Sequence, residues 1–332
     1  MFRLRSKTPE AELGAMVMPE QIDSTLSPLE ATYKTRDVEG IVDLYFYRKI
    51  AFRLAQLFAK FRMTPTMVTL LGGVVGIAAG HLYFYRDLRL NIIGMILHIC
   101  ANLLDNADGQ LARLLNQKDR RGRIIDSLVD HVIFLNIYVH LALRCLAEGA
   151  SPAVILLAIA AGVSHALQGA AADYYRNAYL YFVKGRSGAD WDSSHVLQND
   201  YRQLSWSRNA GDKFLLATYL NFTRQQELLS PRLRQLRDLT ERSFRGGVPD
   251  SLRRLYRNAA RPMLRSWGLL MTNTRMFFLF LFLVLARPTW YFWLELSVFN
   301  FLLIYLIVRQ ERMSRSFLAR PDWSPEASAA SS

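Results

Sequence analysis

Six apolar runs, each close to the length that crosses a bilayer, divide this chain, and two neighbouring runs carry four aspartates between them. They cover about 65–85, 90–115, 122–146 and 152–183, then, after a long interval, about 267–286 and 289–308. A segment in hydrocarbon has no water to satisfy its peptide groups, so runs of this length fold as helices. The aspartates Asp105, Asp108, Asp126 and Asp130 lie in the second and third runs. Even on a lenient insertion scale an ionised Asp at the centre of a spanning helix costs roughly 2.5 to 3.5 kcal/mol, so four require a compensating partner. A divalent cation is the obvious one.

The rest of the composition agrees with a membrane chain. Hydrophobic residues make up 51% of the 332 residues, yet the formal charge is +13. The basic residues lie between the apolar runs and not on one soluble face, which points to anionic head groups and nucleotide phosphates as partners and away from nucleic acid. The fold class read from this pattern is an all-α integral membrane protein with six transmembrane helices. A basic amphipathic stretch at 43–61 is expected to form an N-terminal interfacial helix. Residues 184–265 are expected to form a basic, helical cytoplasmic insertion between helices four and five, opening on Gly185, Ser187 and Gly188 and broken at Gly246 to Pro249.

The domain organisation that follows is a leader at 1–40, the interfacial helix and first four spans at 41–183, the insertion at 184–265, the last two spans at 266–310 and a tail at 311–332. Lys and Arg crowd the N-terminal segment, the turn between spans two and three, the insertion and the tail, while the opposite connections carry few. That asymmetry places both termini and the aspartates on the cytoplasmic side, as a multi-pass protein of the cell inner membrane. No apolar signal-peptide core follows the first charged residues, so the leader is expected to stay in the cytoplasm. Cys100 and Cys145 sit in apolar runs and read as inert thiols.

Asp105 and Asp108 are three apart, and Asp126 and Asp130 four apart, so each pair shares one helix face. A short basic turn makes the two helices antiparallel neighbours, and the two acidic faces can meet. Converging carboxylates suit Mg²⁺ or Mn²⁺, ions that usually share their shells with substrate phosphates. Gly109, Ala112 and Gly122 are small where a ligand could approach the helices, and Arg113 offers a planar fork of donors for phosphate. Structural pairing with nearby arginines would explain one aspartate pair but not two faces with small residues between them.

The run D-x-x-D-G-x-x-A-R at 105–113, followed after eight residues by G-x-x-x-D-x-x-x-D at 122–130, resembles the signature of the CDP-alcohol phosphotransferases at every specified position. The resemblance extends to the six-helix layout but not to the insertion. It implies transfer of a substituted phosphoryl group from a CDP-linked donor to an alcohol, with release of CMP. It further implies that Asp105, Asp108, Asp126 and Asp130 hold a pair of metal ions and that Asp130 deprotonates the acceptor hydroxyl. Gly109, Ala112, Arg113 and Gly122 would line the CDP site, and a homodimer is implied as well. The family often carries Thr-Pro-Asn ahead of the first span; here Thr66 stands in place of Asn.

The first reading is therefore a phospholipid synthase with CDP-diacylglycerol as donor. The alternatives are a CDP-polyol or CDP-aminoalcohol phosphotransferase acting on a lipid or soluble acceptor, a prenyltransferase, or a cation transporter without enzymatic activity. Among the polar residues of spans four and five, Arg176 and Arg275 are the acceptor candidates, joined by His165, Gln168, Asp173 and Asn273. If they face the aspartates, a phosphorylated alcohol fits.

Overall fold

The computed structural model describes residues 37–38, 40, 42–185, 189, 191–244, 247–320 and 323, and among them every regular element is helical. The expected leader apart from residues 37, 38 and 40, part of the expected turn at 185–188 (Ser187 and Gly188), Gly246, and the tail beyond 320 except Trp323 lie outside the described residues.

A π-helical turn, Asp43–Tyr47, leads into α1, Arg48–Lys60. Helix α1 is amphipathic, and its buried Ala51 and Ala55 pack with Val68, Ala107 and Leu111. The next helix, α2, spans Pro65–Leu82 and opens on a built cap: Thr64 Oγ1 accepts the Met67 N–H at 3.3 Å, with Pro65 in the first turn. Helices α3, Leu88–Leu114, and α4, Arg120–Ala147, form an antiparallel hairpin. Asp119 caps α4 by accepting the Gly122 N–H at 2.7 Å.

The glycines of α2 explain how it packs against this hairpin. A Cβ on Gly76 would fall 2.6 Å from Ile133 Cδ1, and one on Gly73 would fall 2.9 Å from Val129 Cγ1. Backbone and branched side chains thus meet directly, the close approach that small residues permit in membranes.

Helix α5, Ala153–Lys184, has 32 residues. At about 1.5 Å per residue it is about 48 Å long, well beyond the roughly 30 Å of a bilayer core. The surplus carries its Tyr-rich end out of the apolar layer, where Tyr174, Tyr175, Tyr179 and Phe182 join a buried cluster with Leu236, Tyr256, Trp267 and Trp323. That cluster joins α5 to part of the insertion, whose helices are α6, Ser194–Gln203; α7, Ala210–Leu229; α8, Pro231–Ser243; and α9, Asp250–Gly268, with α6 and α7 sharing a smaller cluster of Leu197, Leu216 and Leu220.

Helix α9 runs through 265 to Gly268, and a break at 269–271 separates it from α10, Thr272–Val284. At 13 residues, α10 alone is about 20 Å long, so the fifth crossing needs the end of α9 as well. The chain closes with α11, Thr289–Leu294, a π-helical stretch Glu295–Phe299, and α12, Asn300–Leu318. The last helix continues ten residues past the apolar run that ends near 308. Among the described residues, six helical stretches are long and apolar enough to cross a membrane.

Candidate active site

The hairpin places one carboxylate oxygen each from Asp105, Asp108 and Asp126 within 4.8 Å of one another. Two come from consecutive turns of α3 and one from the facing turn of α4. Three anionic oxygens this close repel unless a cation sits among them, and an all-oxygen donor set fits a hard divalent ion. Asp108 is the most enclosed of the three at 5% exposure. Thr69 of α2 donates its hydroxyl proton to Asp108 Oδ2 at 2.6 Å, which fixes the carboxylate's orientation. Thr69 is a site residue that the sequence reading missed. Nothing in the sequence set it apart from Thr64 and Thr66, the other hydroxyls around the start of α2.

Asp130 does not join this group. It lies one turn further along α4 from Asp126 and lines the same cavity. The structure therefore brings three of the four expected carboxylates together and leaves the fourth beside the space where a substrate would sit.

That space is a cavity of 1940 Å³. Its lining includes Arg48, Gly109, Ala112, Arg113, Gly122 and Arg123. Thr64 and Thr66 reach it from the start of α2, so the position where the family often has Asn does face the cavity. Away from the carboxylates the cavity continues between α4 and α5 as an apolar groove along Leu135, Val139, Ile155, Ile159 and Val163. The site thus joins a charged end to a hydrocarbon-like end.

The small residues serve different needs. A Cβ on Gly109 would meet nothing nearer than the Arg113 guanidinium at 3.5 Å, so Gly109 keeps the surface beside that side chain open. A Cβ on Gly122 would fall 2.6 Å from Asp119 Oδ1. Gly122 therefore also protects the cap that starts α4, a purpose its place in the motif did not reveal.

The two acceptor candidates part company. Arg176 lines the cavity with Asp173. Arg275 borders it too, but its donors are spent inside the bundle. Nη1 bonds both oxygens of Glu295 at 2.7 Å, Nη2 bonds Gln168 Oε1 at 2.8 Å, and Nε bonds Leu270 O at 3.0 Å. Both partners of the ion pair are buried, Arg275 at 2% and Glu295 at 0% exposure. Arg275 is thus a structural residue, held by a carboxylate that the sequence reading passed over, and its guanidinium is not presented to an acceptor. Gln168 belongs to the same network, and Asn273 is tied to Asp43 at 2.8 Å.

Comparison with known proteins agrees with the motif. Residues 62–179 match the family model described as CDP-alcohol phosphatidyltransferase. An uncharacterized protein of Aquifex aeolicus (strain VF5) is 35% identical over 86 residues, which is 26% of this chain and 42% of that relative. The chain thus spans less than half the length of the relative it matches. The matched residues 62–179 hold the clustered aspartates, Thr69 and the entire cavity-facing motif, so the part of the chain that is similar to the CDP-alcohol phosphatidyltransferase family is the part that builds the site.

Proposed function

We propose that this protein is a membrane-embedded phosphatidyl transferase that moves the phosphatidyl group of CDP-diacylglycerol to a small polar alcohol and releases CMP. One observation carries the reading: the three-carboxylate group opens into a single cavity that is charged at the carboxylates and apolar between α4 and α5. A CDP-linked lipid has that same division, a nucleotide diphosphate at one end and acyl chains at the other. A soluble CDP-polyol with a soluble acceptor would leave the groove along Val139 and Ile159 without an occupant, and with a lipid acceptor the acyl chains there would be the acceptor's.

Asp105, Asp108 and Asp126 would hold the divalent ion or ions, Mg²⁺ or Mn²⁺, with Asp130, which lines the same cavity, as the candidate for sharing a second. When bound, such ions draw charge from the diphosphate oxygens as it builds on the departing CMP. Thr69 keeps Asp108 in its ligating orientation. Arg113 presents donors to the diphosphate, and Gly109 leaves room for it. Asp130, outside the closest carboxylate group, takes the proton of the acceptor hydroxyl as its oxygen attacks phosphorus. The bond from that phosphorus to the bridging oxygen of CMP breaks as the new phosphodiester forms. Arg176 faces the acceptor, and a phosphorylated alcohol would use it.

In this reading both termini and the site face the cytoplasm. The test is to incubate purified protein with CDP-diacylglycerol, Mg²⁺ and a panel of free and phosphorylated alcohols, and to identify lipid products by mass. One alcohol should yield a new phospholipid together with CMP. If no alcohol is consumed and CDP-diacylglycerol stays intact, the reading is wrong. Arg176→Ala should raise the KM for a phosphorylated acceptor, and an unchanged KM would assign a neutral alcohol.

A further inference from the structure

The insertion falls outside the family-matched residues, yet one of its helices forms part of the cavity wall. Tyr219 and Phe222 of α7 line the cavity together with residues of α4 and α5. With Thr223 and Gln226 they make a stripe at helical spacing on the face of α7 that meets the bundle. Thr223 and Gln226 are buried, and Gln226 Nε2 donates to Ala170 O of α5 at 2.9 Å. The Phe222 ring stands edge-on to His131, with centroids 6.0 Å apart, and His131 follows Asp130 in α4. Phe222 is only partly buried, so the rest of its ring is open to the cavity.

The insertion is moored to the turn of the aspartate hairpin, α7 directly through Asp212 and indirectly through Asp192, which precedes α6, and Asp200 of α6. Arg120 bonds Asp200 at 2.5 Å, Arg121 pairs with Asp212 at 3.4 Å, and Arg120 and Arg123 each lie 3.7 Å from Asp192. Tyr219 donates its hydroxyl to Asp192 at 3.3 Å. Each exposed pair is weak alone. Together with the buried Gln226 contact they hold α7 in register with both walls of the groove.

We infer that α7 is the donor-selecting wall of the site: Phe222 packs on the lipid part of the donor where its chains leave the diphosphate. This rests on the proposed CDP-diacylglycerol reading and adds a residue from outside the family segment to it. An aromatic ring beside the carboxylates and at the head of an apolar groove offers dispersion contact to hydrocarbon and none to a nucleotide's charge.

The test separates the two parts of the donor in full-length protein. KM is measured for CDP-diacylglycerol in fixed mixed micelles, and the inhibition constant for CDP, which has no chains, against the same substrate. Phe222→Ala should raise the KM of the lipid donor about tenfold, the loss expected for one partly buried aromatic contact, and leave the CDP constant within twofold. Phe222→Leu, a milder change that keeps the helix packed, should show the same split at smaller size. If lipid and CDP move together, or neither moves, the assignment of α7 is overturned. If wild-type protein binds CDP but releases no CMP from CDP-diacylglycerol, it is the donor reading beneath it that fails.

Discussion

Single side chains at this site divide into those that would hold an ion and those that hold the holders. Asp126→Asn removes one of three clustered oxygens, and Asp130→Asn removes the proposed base. Each should lower CMP release by about 10²- to 10⁴-fold, the range for losing a positioned acid–base group or comparable ligand. Thr69→Val deletes the 2.6 Å bond to Asp108 and, within α2, a 3.1 Å bond to the Pro65 carbonyl. It should raise the metal concentration for half-maximal activity about 10- to 100-fold while activity at saturating metal recovers, and a metal titration of CMP release reads that difference. The carboxylates were legible because charge in an apolar run is costly and because the spacing is helical. Thr69 was not, since nothing in a threonine's identity separates a cap or a backbone bond from a bond to another helix. Arg275 misled for a similar reason: an arginine in an apolar run calls for an anion, but the partner, Glu295, lies twenty residues on and is placed only by the fold.

At the scale of elements, the helices follow from hydropathy and caps, and the departures follow from packing that hydropathy does not encode. The fifth run reads as one helix, yet it breaks at 269–271. The break leaves the Leu270 carbonyl to accept from Arg275, so the Arg275–Glu295 pair joins α10 to the π-helical stretch and also satisfies backbone freed by the break. Glu295→Gln leaves a buried guanidinium without its anion and should cost about 3 to 5 kcal/mol, whereas replacing both partners by apolar residues should cost less. Thermal unfolding in detergent of the single and double variants checks the order. Gly76→Ala should cost about 1 to 3 kcal/mol by overpacking, because Ile133 occupies the space a Cβ would need.

The insertion has its own pH signature. Burial alone would raise the Glu227 carboxyl, but hydrogen bonds from Ser194 and Arg237 outweigh it and hold the group below its ordinary 4.5. Its contribution to stability is therefore complete above that value and is lost as pH falls through the lower folded one. Hydrogen exchange in α6 to α8 should accelerate in that acid window, and Glu227→Gln should abolish the pH dependence.

For the whole molecule, the sequence shows six crossings, a basic insertion and a motif, but not how the insertion sits. Its amphipathic helices are plain in the pattern, while their docking depends on scattered polar contacts such as Gln226 to Ala170 O and Asp200 to Arg120. Arg144 shows the same limit from the far side. Beside Glu148 it reads as an ordinary loop charge, yet it is 1% exposed and ties Asn91 and the Tyr83 carbonyl to α4. What the assembled molecule places together is a carboxylate group, an apolar groove and an insertion wall around one cavity, and the account stands on the first of these gripping an ion for a CDP-linked lipid. The direct measurement is CMP release from CDP-diacylglycerol by purified protein as Mg²⁺ or Mn²⁺ is titrated, for wild type and Asp126→Asn in parallel. The account predicts no release without metal, saturable release with it, and near-complete loss in the variant at every metal concentration. Release that persists in a chelator, or a variant as active as wild type, would contradict it.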